Sequence, residues 1–334
     1  MKKPLRLIVL GLALALIAVG AAWLYPADSY VLLPDSAKPL APLVKVEGEK
    51  PHSPGEIMYV DVIVRQASVL EDLLSFTRPD GADLVPKSAI VPPGSNYQER
   101  RRQNLRQMDR SQKVAAAVAL RELGYKVVAK PEGALIVGVA PDSPADGKIE
   151  ATEVIVGVDG KPVKTPQDLR RLIAKHKPGE TVKLSVRAGG ATRNVEVGTI
   201  ESPADKGRPL IGVQVEQNAE ISLPLDVDID LGGVGGPSAG LAFALDIAEE
   251  LRGNVTRGLK VAATGEIELD GRVGPIGGVK QKVIGARRSG ADVFLVPAGD
   301  NAAEARRYAG DLRVIPVESF RQALRALATL QRKP

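Results

Sequence analysis

The chain has 334 residues, a formal net charge of +5, no cysteine and two histidines, His52 and His176. Without cysteine there are no disulfides, thiolate nucleophiles or thiolate metal sites, and two histidines leave too few ligands for zinc and few bases for histidine chemistry. Only 3% of residues are aromatic, which excludes the stacking platforms that hold single-stranded nucleic acid; no nucleic acid, metal or cofactor is expected.

In chain order, residues 1–26 place Lys2, Lys3 and Arg6 before an apolar run from Leu7 to Leu24. At ~1.5 Å per residue that run is roughly 27 Å, close to a bilayer core. Basic residues on its N-terminal side put the N-terminus in the cytoplasm and the body outside it. Trp23 and Tyr25 fit an interfacial belt. The expectation is a single-pass membrane anchor, with a membrane as partner. A cleaved signal peptide is the rival, given the small residues Gly20-Ala21-Ala22.

Residues 27–56, rich in Pro, Ser, Gly and charge, read as a linker. The segment 57–121 opens with a strand, Ile57–Arg65, followed by a short helix at Val69–Phe76 and a loop at Pro86–Ser95. Tyr97–Leu123 reads as a long helix. Its second half, Val114–Leu120, is apolar and expected to be buried. Its first half carries Arg100, Arg101, Arg102, Arg106 and Arg110, read as a solvated face because Glu99 and Asp109 interleave.

Residues 122–200 hold short strand candidates at Tyr125–Val128, Ala134–Ala140, Glu153–Val158, Thr181–Arg187 and Thr192–Gly198. A helix at Asp168–Lys175 is introduced by Thr165-Pro166. The stretch GALIVGVAPDSPADGKIEATEVIVGVDGKPV, followed by a helix and two strands, resembles a PDZ domain. The resemblance implies that Leu123, Gly124, Tyr125 and Lys126 form a loop binding a peptide's C-terminal carboxylate, with the peptide added as a strand beside Lys126–Ala129. The alternative is a PDZ fold that only spaces or gates its neighbour.

Residues 208–334 mix strands (Leu210–Glu216, Glu220–Asp230, Leu259–Glu268, Asp292–Pro297, Leu312–Val317) with helices (Pro237–Arg252, Val279–Ser289, Asn301–Tyr308, Phe320–Leu330), an α+β pattern. The chemistry concentrates at LGGVGGPSAGLAFALDIAEE. Its glycines and Pro237 open a helix, leaving Ser238 in the first turn near free N–H groups and the positive end of the helix dipole. Gly236 and Ala239 stand where backbone donors could meet an oxyanion. A well-capped structural helix start is the plain alternative.

A serine nucleophile needs a base. Neither histidine belongs to residues 208–334, and no serine begins a Ser-x-x-Lys motif. A lysine whose pKa is lowered by burial remains. Lys280 and Lys282 both follow Pro275-Ile276-Gly277-Gly278, and helical periodicity does not choose between them.

GGPSAG followed by TGEIELDGRVGPIGGVKQKVIGARRSGADVFLVP resembles the proteolytic domain of Lon-type serine–lysine peptidases, from about residue 210 to the end. The resemblance places the nucleophile on Ser238, the base on Lys282 and a supporting threonine on Thr264, with Lys280 the alternative. That family usually carries an Asp two residues before the proline, where this chain has Gly235. No G-x-x-x-x-G-K-[ST] loop occurs. The combination resembles membrane-anchored PDZ/Lon-like peptidases of bacteria. It implies an ATP-independent serine endopeptidase acting on protein or peptide substrates in exported or membrane-proximal segments, compatible with a homo-oligomer, and with the PDZ module inserted in the protease fold. The rivals are an inactive PDZ scaffold and a galactokinase-like small-molecule kinase.

Overall fold

The computed structural model describes residues 2–48, 55–91, 97–203 and 205–331. His52, Lys333, the end of the loop read at 86–95, and the side chains of Lys2, Lys3, Arg6, Leu7 and Glu99 lie outside the described residues. The chain divides into two units, Met1–Tyr125 with Leu225–Pro334, and Lys126–Pro224, which interrupts the first in sequence.

The first unit begins with α1 (Lys2–Leu24), β1 (Pro26–Pro34), β2 (Lys38–Pro39), β3 (Val44–Val46), β4 (Glu56–Tyr59), β5 (Val62–Ser68), α2 (Val69–Leu73), β6 (Asp83–Pro86), α3 (Lys87–Ile90) and α4 (Tyr97–Glu122). The second holds β7 (Val128–Val139), β8 (Val154–Val158), β9 (Lys161–Pro162), α5 (Pro166–Ile173), β10 (Thr181–Ala188), β11 (Ala191–Gly198), β12 (Ile200–Ser202), β13 (Asp205–Leu210) and β14 (Val213–Ser222). The first then resumes with β15 (Val227–Ile229), α6 (Gly240–Arg252), β16 (Lys260–Ala263), β17 (Glu266–Ile267), β18 (Val273–Gly274), α7 (Val279–Arg288), β19 (Val293–Pro297), α8 (Asp300–Tyr308), β20 (Arg313–Val317) and α9 (Phe320–Ala328).

The expected transmembrane anchor is corrected by the structure, and with it the membrane partner and the cytoplasm-to-outside topology. Among the described residues no helix is long and apolar enough to cross a membrane. Ile8, Leu12 and Leu16 stand exposed on α1.

Residues 27–56, expected as a linker, instead carry β1, β2 and β3. β1 is the central strand of an antiparallel sheet β5-β1-β6, and Val31 is buried within it. β2 and β3 hold only two and three residues, and β1, though nine residues long, is bounded by Pro26 and Pro34 and carries Asp28 and Ser29 near its start, so composition alone suggested a linker.

The main sheet of the first unit has the order β2-β4-β16-β19-β20. β4, β16, β19 and β20 run parallel, in the register Met58–Ala262–Phe294–Val314, and β2 closes the edge antiparallel. The continuous apolar run Val293–Pro297 is fully buried, as a parallel strand covered on both faces requires. Strands from both sides of the interruption therefore share one sheet. α6 is buried from Gly240 to Leu251. Phe243, Leu241 and Leu245 are fully buried on it, each contributing about 1.5–3 kcal/mol. Val114–Leu120 of α4 are likewise buried.

The second unit is built on the sheet order β11-β10-β8-β7-β14 over a core of Ile136, Ile155, Val182, Leu184, Val186 and Leu169. Thr165 and Asp168 form a reciprocal capping box for α5, with Pro166 in its first turn. The strand read at Tyr125–Val128 is absent there. Residues 123–125 close α4, and β7 begins only at Val128.

Candidate active site

The loop before Ser238 is shaped by backbone constraints. Gly236 has φ +94° and ψ 155°, a conformation side chains resist, and turns the chain into a 3₁₀ turn at Pro237–Ala239 that feeds α6. α4 holds this turn at two points. The Gly236 N–H donates to the Asn104 carbonyl (2.8 Å), and the Ser111 hydroxyl donates to the Pro237 carbonyl (3.0 Å). The Gly236 amide is thereby used within the fold. Gly235 is fixed by the same contact, since a Cβ there would lie 2.8 Å from Asn104 Cβ and 3.1 Å from its carbonyl carbon. α4 occupies the space an aspartate would need.

From the other side, the segment after β16 clamps the turn. The Ser238 carbonyl accepts from the Gly265 N–H (2.8 Å) and the Thr264 hydroxyl (3.0 Å), and the Leu241 N–H donates to the Gly265 carbonyl (3.0 Å). Thr264 is fully buried and Ala239 is buried beside the half-buried Ser238.

α7 brings in the lysine. Val279, Val283 and Ala286 pack into the core with Met58, Phe294 and Val296. That packing turns Lys282 inward, 4% exposed, with Nζ 2.8 Å from Ser238 Oγ and 3.3 Å from Thr264 Oγ1. Lys280 points elsewhere. Its Nζ lies 2.6 Å from Asp83 Oδ1 and 5.5 Å from the centre of the Tyr308 ring. Packing thus separates two lysines that periodicity left equivalent.

Burial pushes the Lys282 ammonium down from 10.5 to about 8, with the negative charge of Asp61 opposing the shift. Asp61, between β4 and β5, is a site residue that sequence reading missed. It lines the same cavity of about 620 Å³ as Ser238 and Lys282. Its Oδ2 lies 3.5 Å from Lys38 Nζ, while its buried Oδ1 finds no hydrogen-bond partner. Burial raises its own pKa, against the pull of Lys38. A lone acid inside the apolar run IMYVDVIVR was the available signal.

Leu123, Gly124 and Tyr125 of the predicted peptide loop are not among the residues lining this cavity. The N–H groups of Leu123, Gly124 and Tyr125 donate to the carbonyls of Ala119 (3.0 Å), Arg121 (3.1 Å) and Leu120 (3.0 Å), and Gly124 has φ +91°. This is a Schellman closure of α4, which commits those three donors to the helix end. Lys126 begins the second unit. His176, in that unit, pairs with Asp159 at 2.7 Å.

Residues 224–329 match the family model for the Lon protease (S16) C-terminal proteolytic domain, and residues 121–199 match that for a PDZ domain. Lon protease 1 of Sorangium cellulosum is 31% identical over 54% of this chain and 25% of its own length. Lon protease 2 of Bacillus subtilis is 28% identical over 60% of this chain and 34% of its own. The chain thus spans about a quarter to a third of these relatives. The crystal structure of the PDZ domain of an SdrC-like protein from Listeria innocua is 29% identical, covering 26% of this chain and 96% of that one, at a TM-score of 0.24. The similarity to the Lon proteolytic domain supports a serine-protease-like function in the Lon superfamily. It carries no membrane-anchored form with it, and among the described residues no helix is long and apolar enough to cross a membrane.

Proposed function

We propose that the chain is a serine endopeptidase that uses Ser238 as nucleophile and Lys282 as general base, without ATP. The observation carrying this reading is the 2.8 Å approach of a buried, pKa-lowered lysine to a serine hydroxyl at a helix start. Neutral Lys282 takes the Ser238 proton as Oγ attacks a peptide carbonyl. The backbone N–H of Ala239 and the positive end of α6 face the developing oxyanion, a contribution of about 3–4 kcal/mol per donor. Protonated Lys282 then gives its proton to the leaving amine, and water, activated by the same lysine, hydrolyses the acyl-enzyme. Thr264 holds the ammonium in line through its hydroxyl.

The substrates proposed for these 334 residues, which hold no phosphate loop, are segments already accessible: tails, loops or unfolded chains. The PDZ-type unit captures peptide and raises its local concentration. Because the amides of residues 123–125 close α4, that capture is assigned to the unit and not to those amides.

The test is cleavage of unfolded casein by the purified chain without nucleotide, compared with Ser238→Ala, Lys282→Ala and Lys280→Ala. The reading expects loss in the first two and retention in the third. Cleavage surviving Ser238→Ala and Lys282→Ala, or a strict ATP requirement, would overturn it.

A further inference from the structure

Five arginines in the first half of α4 have no part in the proposed chemistry. The structure divides them. Arg102 and Arg106 are exposed and not part of the lining of the cavity that holds Ser238 and Lys282, whereas the half-buried Arg100 and the exposed Arg101 line it. Among the described residues neither Arg100 nor Arg101 has an ion-pair partner, which leaves both charges available to a ligand. The Arg101 guanidinium lies against the nucleophile loop, with Nη2 3.7 Å from where a Cβ on Gly233 would stand.

These charges are set in fixed register to the serine. α4 is bonded to the turn through Asn104–Gly236 and Ser111–Pro237, so the helix presenting the arginines also positions Ser238. Among the described residues Asp61 is the one acid lining the cavity, and it answers Lys38 and Lys282. That leaves the α4 side cationic. Other parts of the lining, Leu32, Val62, Val64 and Ile90, are apolar. A cleft with a forked cationic wall and apolar lining matches an extended segment that carries a carboxylate beside apolar side chains.

We propose that Arg100 and Arg101 are specificity-determining residues that select peptides with an aspartate or glutamate side chain next to the scissile bond, flanked by apolar residues. The assignment rests on the peptidase reading of Ser238. The same carboxylate chemistry could come from a peptide's C-terminus, so the experiment separates the two sources.

Internally quenched peptides differing only by Glu, Gln or Lys near the cleavage site, each with a free or amidated C-terminus, are offered to the full-length chain. The ratio of kcat/KM for Glu over Gln is expected to be about tenfold at low salt and to shrink as salt rises. It falls toward one in the Arg100→Gln/Arg101→Gln variant and inverts in favour of Lys in Arg100→Glu/Arg101→Glu. Because each ratio is internal to one protein sample, partial misfolding of a variant does not disturb it. In parallel, binding of fluorescein-labelled Glu and Gln peptides to Ser238→Ala reads selection without turnover. Hydrolysis with equal rates for Glu, Gln and Lys overturns the specificity assignment alone. Absent hydrolysis with Glu-selective, arginine-dependent binding overturns the peptidase reading alone. Discrimination that follows the free C-terminus and not the side chain overturns the side-chain assignment.

Discussion

Replacing Lys282 by Met exchanges a buried amine for an apolar chain of similar length, and its consequence for stability can be worked out independently of catalysis. The native ammonium is pushed from 10.5 to about 8 by burial. Between those two values the unfolded chain binds more protons than the native one, so the wild type gains stability as pH rises through that window. Below pH 8 both states are protonated and the native state bears the full penalty. The pH-dependent penalty amounts to about 3 kcal/mol at pH 7 and about 1 kcal/mol at pH 10. The Met variant should therefore exceed the wild type in stability at pH 7 by more than at pH 10, the difference changing by about 2–3 kcal/mol. Subtracting the two proteins cancels the titrating groups that do not interact with Lys282. The assay is hydrogen exchange of α6 and β16 amides at both pH values in increasing urea, which reads the first unit by itself. A stability difference that does not change between pH 7 and pH 10 would refute the depressed lysine. A change of opposite sign would mean that the site stabilises the ammonium.

Asp61→Asn removes the charge that opposes the Lys282 shift, so the midpoint of the log kcat/KM profile should move below about 8; an unmoved midpoint sinks the electrostatic link. Thr264→Val deletes the hydroxyl bonded to both the Ser238 carbonyl and Lys282 Nζ. About 1–3 kcal/mol should be lost, seen as a roughly 10- to 100-fold fall in kcat with KM little changed, and an unchanged kcat would remove Thr264 from the site. Gly235→Asp forces a Cβ to within 2.8 Å of Asn104. A loss of about 1–3 kcal/mol from overpacking is expected in thermal melting, together with lower activity because the Gly236–Asn104 anchor is displaced; an unchanged melting temperature would contradict the steric account of this glycine.

The parts of the molecule legible in the sequence were those with long periods or fixed chemistry. α4, α6 and α7 span several turns with apolar faces, and the Gly-Pro-Ser turn and Thr165-Pro166 announce helix starts through residue types with few other uses. The pairing of Ser238 with Lys282 came from a family resemblance. Periodicity could not choose between Lys280 and Lys282, because both flank the same stripe and only Asp83, distant in sequence, draws Lys280 away. β2 and β3 were hidden by their shortness, and β1 by its bounding prolines and the polar residues near its start. Gly124 was misread because a loop glycine that could bind a carboxylate and a glycine that closes a helix look alike in sequence. Its positive φ and the i−5 bond of Tyr125 decide for the latter. Asp61 was signalled only as a lone acid in an apolar run, and the cavity-lining placement of Arg100 and Arg101 depends on tertiary packing, which no local pattern encodes. The apolar run at the N-terminus suggested a span by hydropathy alone, and the described helix does not supply one.

The central claim is that Lys282 activates Ser238, and covalent trapping tests it most directly. The full-length chain is treated with a fluorophosphonate at pH 8, and the adduct is located by peptide mass spectrometry. The account predicts one phosphonylated residue, Ser238, labelled faster as pH rises through about 8 and not labelled in Lys282→Ala. Labelling of Ser238 at an undiminished rate in Lys282→Ala, or modification of another serine in its place, would contradict it.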